Sequence, residues 1–142
     1  MKTTSDAEQD ALRKNEIGRL AWMALALTPG MGPTRIARAI GRLGAAERVF
    51  EASLTELEGA GMPAHSAQFV ADGRARGAAE KELKYLSETG GAFITRDDSA
   101  YPERLLEIYD PPAVLWTRGD VGLLCSFGAG YSAGSVILKK IA

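Results

Sequence analysis

The sequence is poor in the residues that stapled domains and many enzymes depend on. It has one cysteine, Cys125, and one histidine, His65. A lone cysteine excludes an internal disulfide framework and any multi-cysteine zinc site. A lone histidine leaves neither a Ser-His-Asp arrangement nor a His-metal site in persuasive form. No catalytic residue, metal or cofactor is therefore expected. Long apolar runs are missing too: the longest, residues 20–27, falls far short of the roughly 20 residues that a membrane crossing takes. The first ten residues are polar and partly acidic, unlike a signal peptide. A cytoplasmic protein is the simplest expectation. Charge of one sign does not dominate, with 17 Lys and Arg against 18 Asp and Glu, so the whole chain is no polycation.

What is present is enough for a core. The chain has 142 residues, 46% of them hydrophobic, which suits one ordinary domain or two small ones. Positive charge is concentrated locally. Arg13, Lys14, Arg19, Arg35, Arg38, Arg42 and Arg48 face only Glu16 and Glu47 across residues 13–48. Such an excess can attract a polyanion, and it can equally be a solvated helix face.

The apolar pattern divides the chain. Ile17, Leu20, Ala24 and Leu27 recur at helical spacing and predict an amphipathic helix over residues 8–27. It should end at Thr28, because Pro29 disfavours the α region before it. Pro33 suits the first turn of a second helix. Ile36, Ala37, Ile40 and Leu43 would form its buried face, and Gly44 its C-terminal cap. A short helix is expected over residues 47–52. Ser53 and Glu56 have capping-box spacing and predict another. Pro63 is expected to open one longer helix, tied to the core by Phe69, Val70, Leu83 and Leu86. The pattern changes at Gly90-Gly91. Residues 92–95 and 114–117 read as buried strands with a short helix between them, near residues 101–108, which suggests the edge of an α/β sheet. A boundary near residue 89 follows, giving a helical unit over 1–88 and a second unit over 89–142.

The segment Leu27-Thr28-Pro29-Gly30-Met31-Gly32-Pro33-Thr34-Arg35-Ile36-Ala37 matches the helix-hairpin-helix pattern. Gly30 and Gly32 allow a tight turn and keep side chains away from a ligand. Free amides and the positive end of the helix dipole at Pro33 can hold a phosphate oxygen. Thr34, Arg35 and Arg38 could add neighbouring phosphate contacts, which position nucleic acid without reading bases. Gly30, Gly32, Thr34, Arg35 and Arg38 are thus the candidate DNA-phosphate site. The bland alternative is a tight turn between packed helices. A weaker copy, Leu57-Glu58-Gly59-Ala60-Gly61-Met62-Pro63, follows about 29 residues later, a spacing suited to a repeated helical unit. It carries Glu58 and His65 in place of arginines and reads as structural.

Further along stand Asp98-Ser99-Ala100-Tyr101-Pro102, Leu105, Ile108, Asp110-Pro111-Pro112, Leu115 and Gly119. Together with the Leu-x-Pro-Gly-x-Gly turn ahead of them, this segment resembles the opening of the DprA/Smf DNA-processing family, over roughly residues 17–124. The resemblance implies a helical helix-hairpin-helix (SAM-like) domain followed by the start of a Rossmann-like α/β domain. It also implies a non-enzymatic mediator that binds incoming single-stranded DNA in natural transformation, shields it, and helps load the RecA recombinase. Family members are usually dimers built through the Rossmann-like domain. Within the resemblance, Tyr101-Pro102 and Asp110-Pro111-Pro112 read as scaffold. Trp22 and Trp116 read as core residues, with base stacking the less favoured role. Apart from the resemblance, the adjacent acids Asp97 and Asp98 would point apart in an extended strand, and a turn or solvated reading is preferred over metal binding.

The chain departs from the family after Leu124. A Gly-Ser-Arg loop that binds DNA should follow, and none is present. The expectation is a shortened Rossmann-like domain, as from a frameshift or incomplete gene, with dimerisation put in doubt. Gly128-x-Gly130-x-x-x-Gly134 faintly resembles a dinucleotide loop, yet no acidic residue follows at the distance a ribose contact needs. Lys139 and Lys140 could touch phosphate or be solvated. Two rival readings stay open: a helical interaction or structural module that binds no DNA, and a nucleotide-binding fragment.

Overall fold

Residues 21–26 are buried on every side: Ala21, Met23, Ala24 and Leu25 have no exposed surface, and Trp22 and Ala26 have very little. They form the last turns of α1 (Thr3–Ala26). A helix buried all round must be surrounded, and the rest of the chain does this. The computed structural model describes the backbone of residues 3–118, 121–126 and 133–139, and the side chains of residues 6–118. Residues 6–17 of α1 are exposed, so Ile17, expected on the buried stripe, lies at the surface. The other three residues of the stripe lie where expected: Ala24 is buried, and Leu20 and Leu27 are partly buried against the core.

Around the enclosed half pack α2 (Pro33–Leu43), a 3-10 turn (Ala46–Phe50), α5 (Arg74–Thr89) and the first two strands. The punctuation of the sequence explains most boundaries. Thr28 is buried, and its hydroxyl donates to the Ala24 carbonyl at 2.7 Å, closing α1 ahead of Pro29. Pro33 occupies the first turn of α2, where its missing N–H costs nothing. Gly44 ends α2 in the left-handed region and donates to the Ile40 carbonyl. Ser53 and Glu56 form the expected reciprocal capping box at α3 (Leu54–Gly59).

The single long helix expected from Pro63 is two helices. α4 (Ala64–Ala71) stops at Asp72, and Gly73 turns the chain with φ +86° before α5 starts. The Asp72 carboxylate accepts from the Arg74 amide and pairs with its guanidinium. An Asp-Gly pair favours a turn over a helix interior, for local hydrogen bonding and free φ respectively. The break turns α5 back along α1, against which it packs.

β1 (Ala92–Thr95) and β2 (Val114–Arg118) stand where the apolar runs put them, and α6 (Glu103–Leu106) lies between. The strands pair directly and antiparallel, with Phe93 opposite Trp116. β3 (Val121–Ser126) and β4 (Ala133–Lys139) extend the sheet in the order β1-β2-β3-β4, each neighbour antiparallel. A Rossmann-like crossover instead joins parallel strands through a helix that covers the sheet. α6 cannot serve as that helix: it is four residues long and buries none of them. The observed architecture is mostly helical with a small antiparallel sheet. Its buried cluster takes in Phe93, Ala113 and Val114 together with residues of the helices. Gly128 and Gly130 lie outside the described residues. Among the described residues no helix is long and apolar enough to cross a membrane.

Tyr101 anchors the link into β2. It is buried, and its hydroxyl donates to the Pro112 carbonyl at 2.8 Å. Burial pushes its phenol above the ordinary value, and the Arg96 charge opposes this in part. A raised pKa in the folded state means stability that is whole below about pH 10 and is lost as pH climbs through the folded value. Tyr101→Phe should cost about 1 kcal/mol at neutral pH and should flatten the fall in urea midpoint above about pH 10 relative to the parent. Leu25→Ala should cost about 2–5 kcal/mol through the cavity it leaves, whereas Leu12→Ala, on the exposed half of α1, should change stability by no more than about 0.5 kcal/mol. Urea denaturation followed by circular dichroism measures both.

Candidate nucleic-acid interface

The two glycine turns are built as partners. Gly30 has φ +84° and Gly61 φ +98°. Each is followed by a buried methionine, Met31 or Met62, then by the N-cap of the next helix, Gly32 or Pro63. The structural repeat therefore matches Gly30-Met31 with Gly61-Met62, two residues later than the pairing of Gly30 with Gly59 that the glycines alone suggest. Each turn packs on the second helix of the other unit. A Cβ on Gly30 would lie 2.5 Å from His65 Nε2 and 2.6 Å from Ser66 Oγ. Ser66 is fully buried and its hydroxyl donates to the Pro29 carbonyl at 2.6 Å. In return a Cβ on Gly61 would meet Arg42 and Arg38 of α2, and Arg42 donates to the Gly59 carbonyl at 3.4 Å. His65, read from sequence as part of a structural copy, is a packing residue for the first turn.

The five candidate residues do gather at one corner. Gly30 makes the turn, Gly32 caps α2, and Thr34 and Arg35 are exposed on its first turn, with Arg38 one turn further along. Gly32 does not use the left-handed freedom of glycine. Its φ is −87° and a Cβ there would meet nothing within 4 Å. α2 has no side-chain N-cap. Among the described residues, the amides of Gly32, Thr34 and Arg35 have no hydrogen-bond acceptor. Such amides at a helix start carry the positive end of the backbone dipole.

Not every expected cation is available there. Arg35 donates to the Gly30 carbonyl at 2.9 Å, bracing the turn. Arg19 is committed elsewhere: it donates to the Phe93 carbonyl at 2.6 Å, pairs with Asp98 at 3.3 Å, and lies 4.3 Å from the Phe93 ring centre. Asp98 also accepts from the Thr95 amide, and Asp97 accepts from the Trp22 indole at 2.9 Å. Asp97 and Asp98 lie in a turn as expected, with Asp97 exposed, and their carboxylates also latch α1 to the end of β1. Trp22 is buried within it, which leaves no face for a base. Trp116 is half-buried against the core and donates to Glu82. This latch lines a cleft of about 470 Å³ between α1, the 3-10 turn and the β1 end.

One contact at the corner was hidden from sequence. Thr34 Oγ1 donates to Asp110 Oδ1 at 2.8 Å, across 76 residues of chain. Asp110, read as scaffold, places an acid where a phosphate was expected.

Gly30→Ala should destabilise the fold by about 1–3 kcal/mol, because the alanine meets both the left-handed backbone and the Ser66 hydroxyl. Gly32→Ala should cost less than about 1 kcal/mol, the difference between glycine and alanine at an N-cap. Equilibrium urea unfolding of the two variants separates the roles, and equal losses would contradict the geometry.

No family model, no curated protein and no solved structure matches this chain.

Proposed function

We propose that the chain is a nucleic-acid-binding module whose first glycine turn receives a backbone phosphate. The observation that carries this is Gly32. Neither its φ of −87° nor its surroundings require glycine, yet the missing side chain leaves the first amides of α2 open. Serine, aspartate or asparagine would cap that helix better, and each would occupy one of those amides. Arg38 and the exposed amides then supply the positive field, in a contact that holds a strand without reading its sequence.

The resemblance to the DprA/Smf family gives this binding a context. On that reading the ligand is single-stranded DNA entering during natural transformation, and the chain acts without catalysis, delivering the strand to a RecA-type recombinase. Residues 1–88 would be the helix-hairpin-helix unit and 89–142 the start of a Rossmann-like domain. The antiparallel pairing of β1 with β2 is the point at which the described sheet departs from that expectation.

A second reading has an observation of its own. Both turns are packed against their neighbours and Thr34 already has a partner, as a helical module with no nucleic-acid ligand would have. Gly32→Asp decides between them. The aspartate should cap α2 and leave thermal stability unchanged or slightly raised. It should also abolish binding of a labelled oligonucleotide measured by fluorescence anisotropy. Parent binding should weaken steeply with salt. A Gly32→Asp variant that binds as the parent does, or a parent that binds no DNA at low salt, would leave the interaction module as the function.

A further inference from the structure

The Asp110 contact has the chemistry of the ligand proposed for the same corner. A carboxylate at the start of an eleven-residue helix, accepting from a first-turn hydroxyl, is a small anion in the place of a larger one. We propose that Asp110 is an internal competitor for the phosphate position of α2, displaced when nucleic acid binds. The proposal rests on the phosphate-binding reading above.

Three features of the loop support displacement over permanent fixture. First, residues 106–110 are all exposed, with Tyr109 fully so and Leu106 and Ile108 nearly half exposed. Little packing is lost if the loop moves. Second, the chain on either side is held independently of Asp110. Tyr101 is buried and bonded to the Pro112 carbonyl, and residues 111–115 are buried. The loop can therefore shift at Asp110 while β2 keeps its place. Third, among the described residues the Thr34 hydroxyl is the one hydrogen-bond partner of the Asp110 carboxylate, and no ion pair holds it. A phosphate offers the same hydroxyl and the adjacent amides more acceptor oxygens and a charge that can bridge them.

Occupation by Asp110 has a sign that a purely structural contact lacks. An internal anion lowers affinity for an external one, so removing its charge must raise it. Asp110→Asn is the clean variant, because its amide oxygen still accepts from Thr34 while the charge is gone. Glu107→Gln is its control: it removes an equal charge from the same exposed loop, where no bond to the corner is present. Binding of a labelled oligothymidylate by the full chain, followed by anisotropy at low and moderate salt, should tighten about two- to fivefold for Asp110→Asn at low salt, the scale of a single charge at a helix start. The gain should shrink as salt rises, and Glu107→Gln should give less than half of it. Melting temperatures should stay together, which separates this from a change in folding. If the parent binds and Asp110→Asn binds no more tightly, or Glu107→Gln gains as much, the competitor is refuted while the phosphate reading stands. If neither the parent nor Asp110→Asn binds, both fall. Binding by Asp110→Asn alone would support both.

Discussion

Residues 21–26 of α1 have no exposed face, and that constraint arranges the molecule. A helix enclosed on all sides needs neighbours on all sides, and small side chains let them come near: Ala21, Ala24 and Ala26 alternate with Trp22, Met23 and Leu25. α2 and the 3-10 turn cover part of the surface, α5 another, and β1 and β2 the remainder. This explains why the chain must reverse at Gly73. α4 packs on α3 and the 3-10 turn, and the break at Asp72-Gly73 lets α5 take a separate course against α1. It explains the latch as well. Arg19 and Trp22 stand at the junction of α1 with the sheet, and their polar groups are met by Phe93, Asp97 and Asp98. Buried polar atoms are costly unless partnered, so the first strand and its turn are fixed relative to α1 by the same residues that close the core.

The glycine corner inherits its geometry from this arrangement. Thr28 caps the enclosed helix from inside, so the chain must leave the core at once. Gly30 makes that exit possible, and Met31 returns a side chain to the core. The start of α2 is thereby aimed away from the core, with the Thr34 and Arg35 amides unused among the described residues. Gly61 and Met62 repeat the manoeuvre, but α4 begins from Pro63, which has no amide of its own. The two turns share a fold and differ in what they offer an anion. Each turn packs against the second helix of the other unit, and donors held in place by packing bind an anion without the ordering cost that mobile ones incur.

Local punctuation was legible in the sequence. The cap at Ser53 and Glu56, proline at the start of α2, and Gly44 at its end each act within one turn of chain, where side-chain and backbone chemistry decide the outcome. Both strands of the first hairpin could be placed from short apolar runs. Their antiparallel pairing could not, because a run of four residues specifies no partner. The stripe on α1 placed Leu20, Ala24 and Leu27 at the core but missed how fully residues 21–26 are enclosed, for a related reason. Periodicity detects one buried face, and a helix enclosed on all faces loses the contrast on which the signal depends. Gly73 was missed because its flanks both read as helix, although Asp72-Gly73 was the available signal.

The candidate site divides along the same line. Its glycines and first-turn residues are contiguous, so sequence assembled them at one corner. What those residues touch depends on segments far away: Ser66 beneath Gly30, Asp98 drawing Arg19 away from the basic cluster, and Asp110 against Thr34. Net charge over residues 13–48 therefore overstates the field at the corner. Arg19 is neutralised within the fold, and Arg35 and Arg42 are tied to loop carbonyls that keep their charge but limit their reach. Solvent screens the exposed arginines, while the unpaired amides of α2 act at contact distance on whatever anion is seated there. The balance at this corner is accordingly set less by how many arginines surround it than by which anion, the Asp110 carboxylate or an incoming phosphate, occupies the helix start.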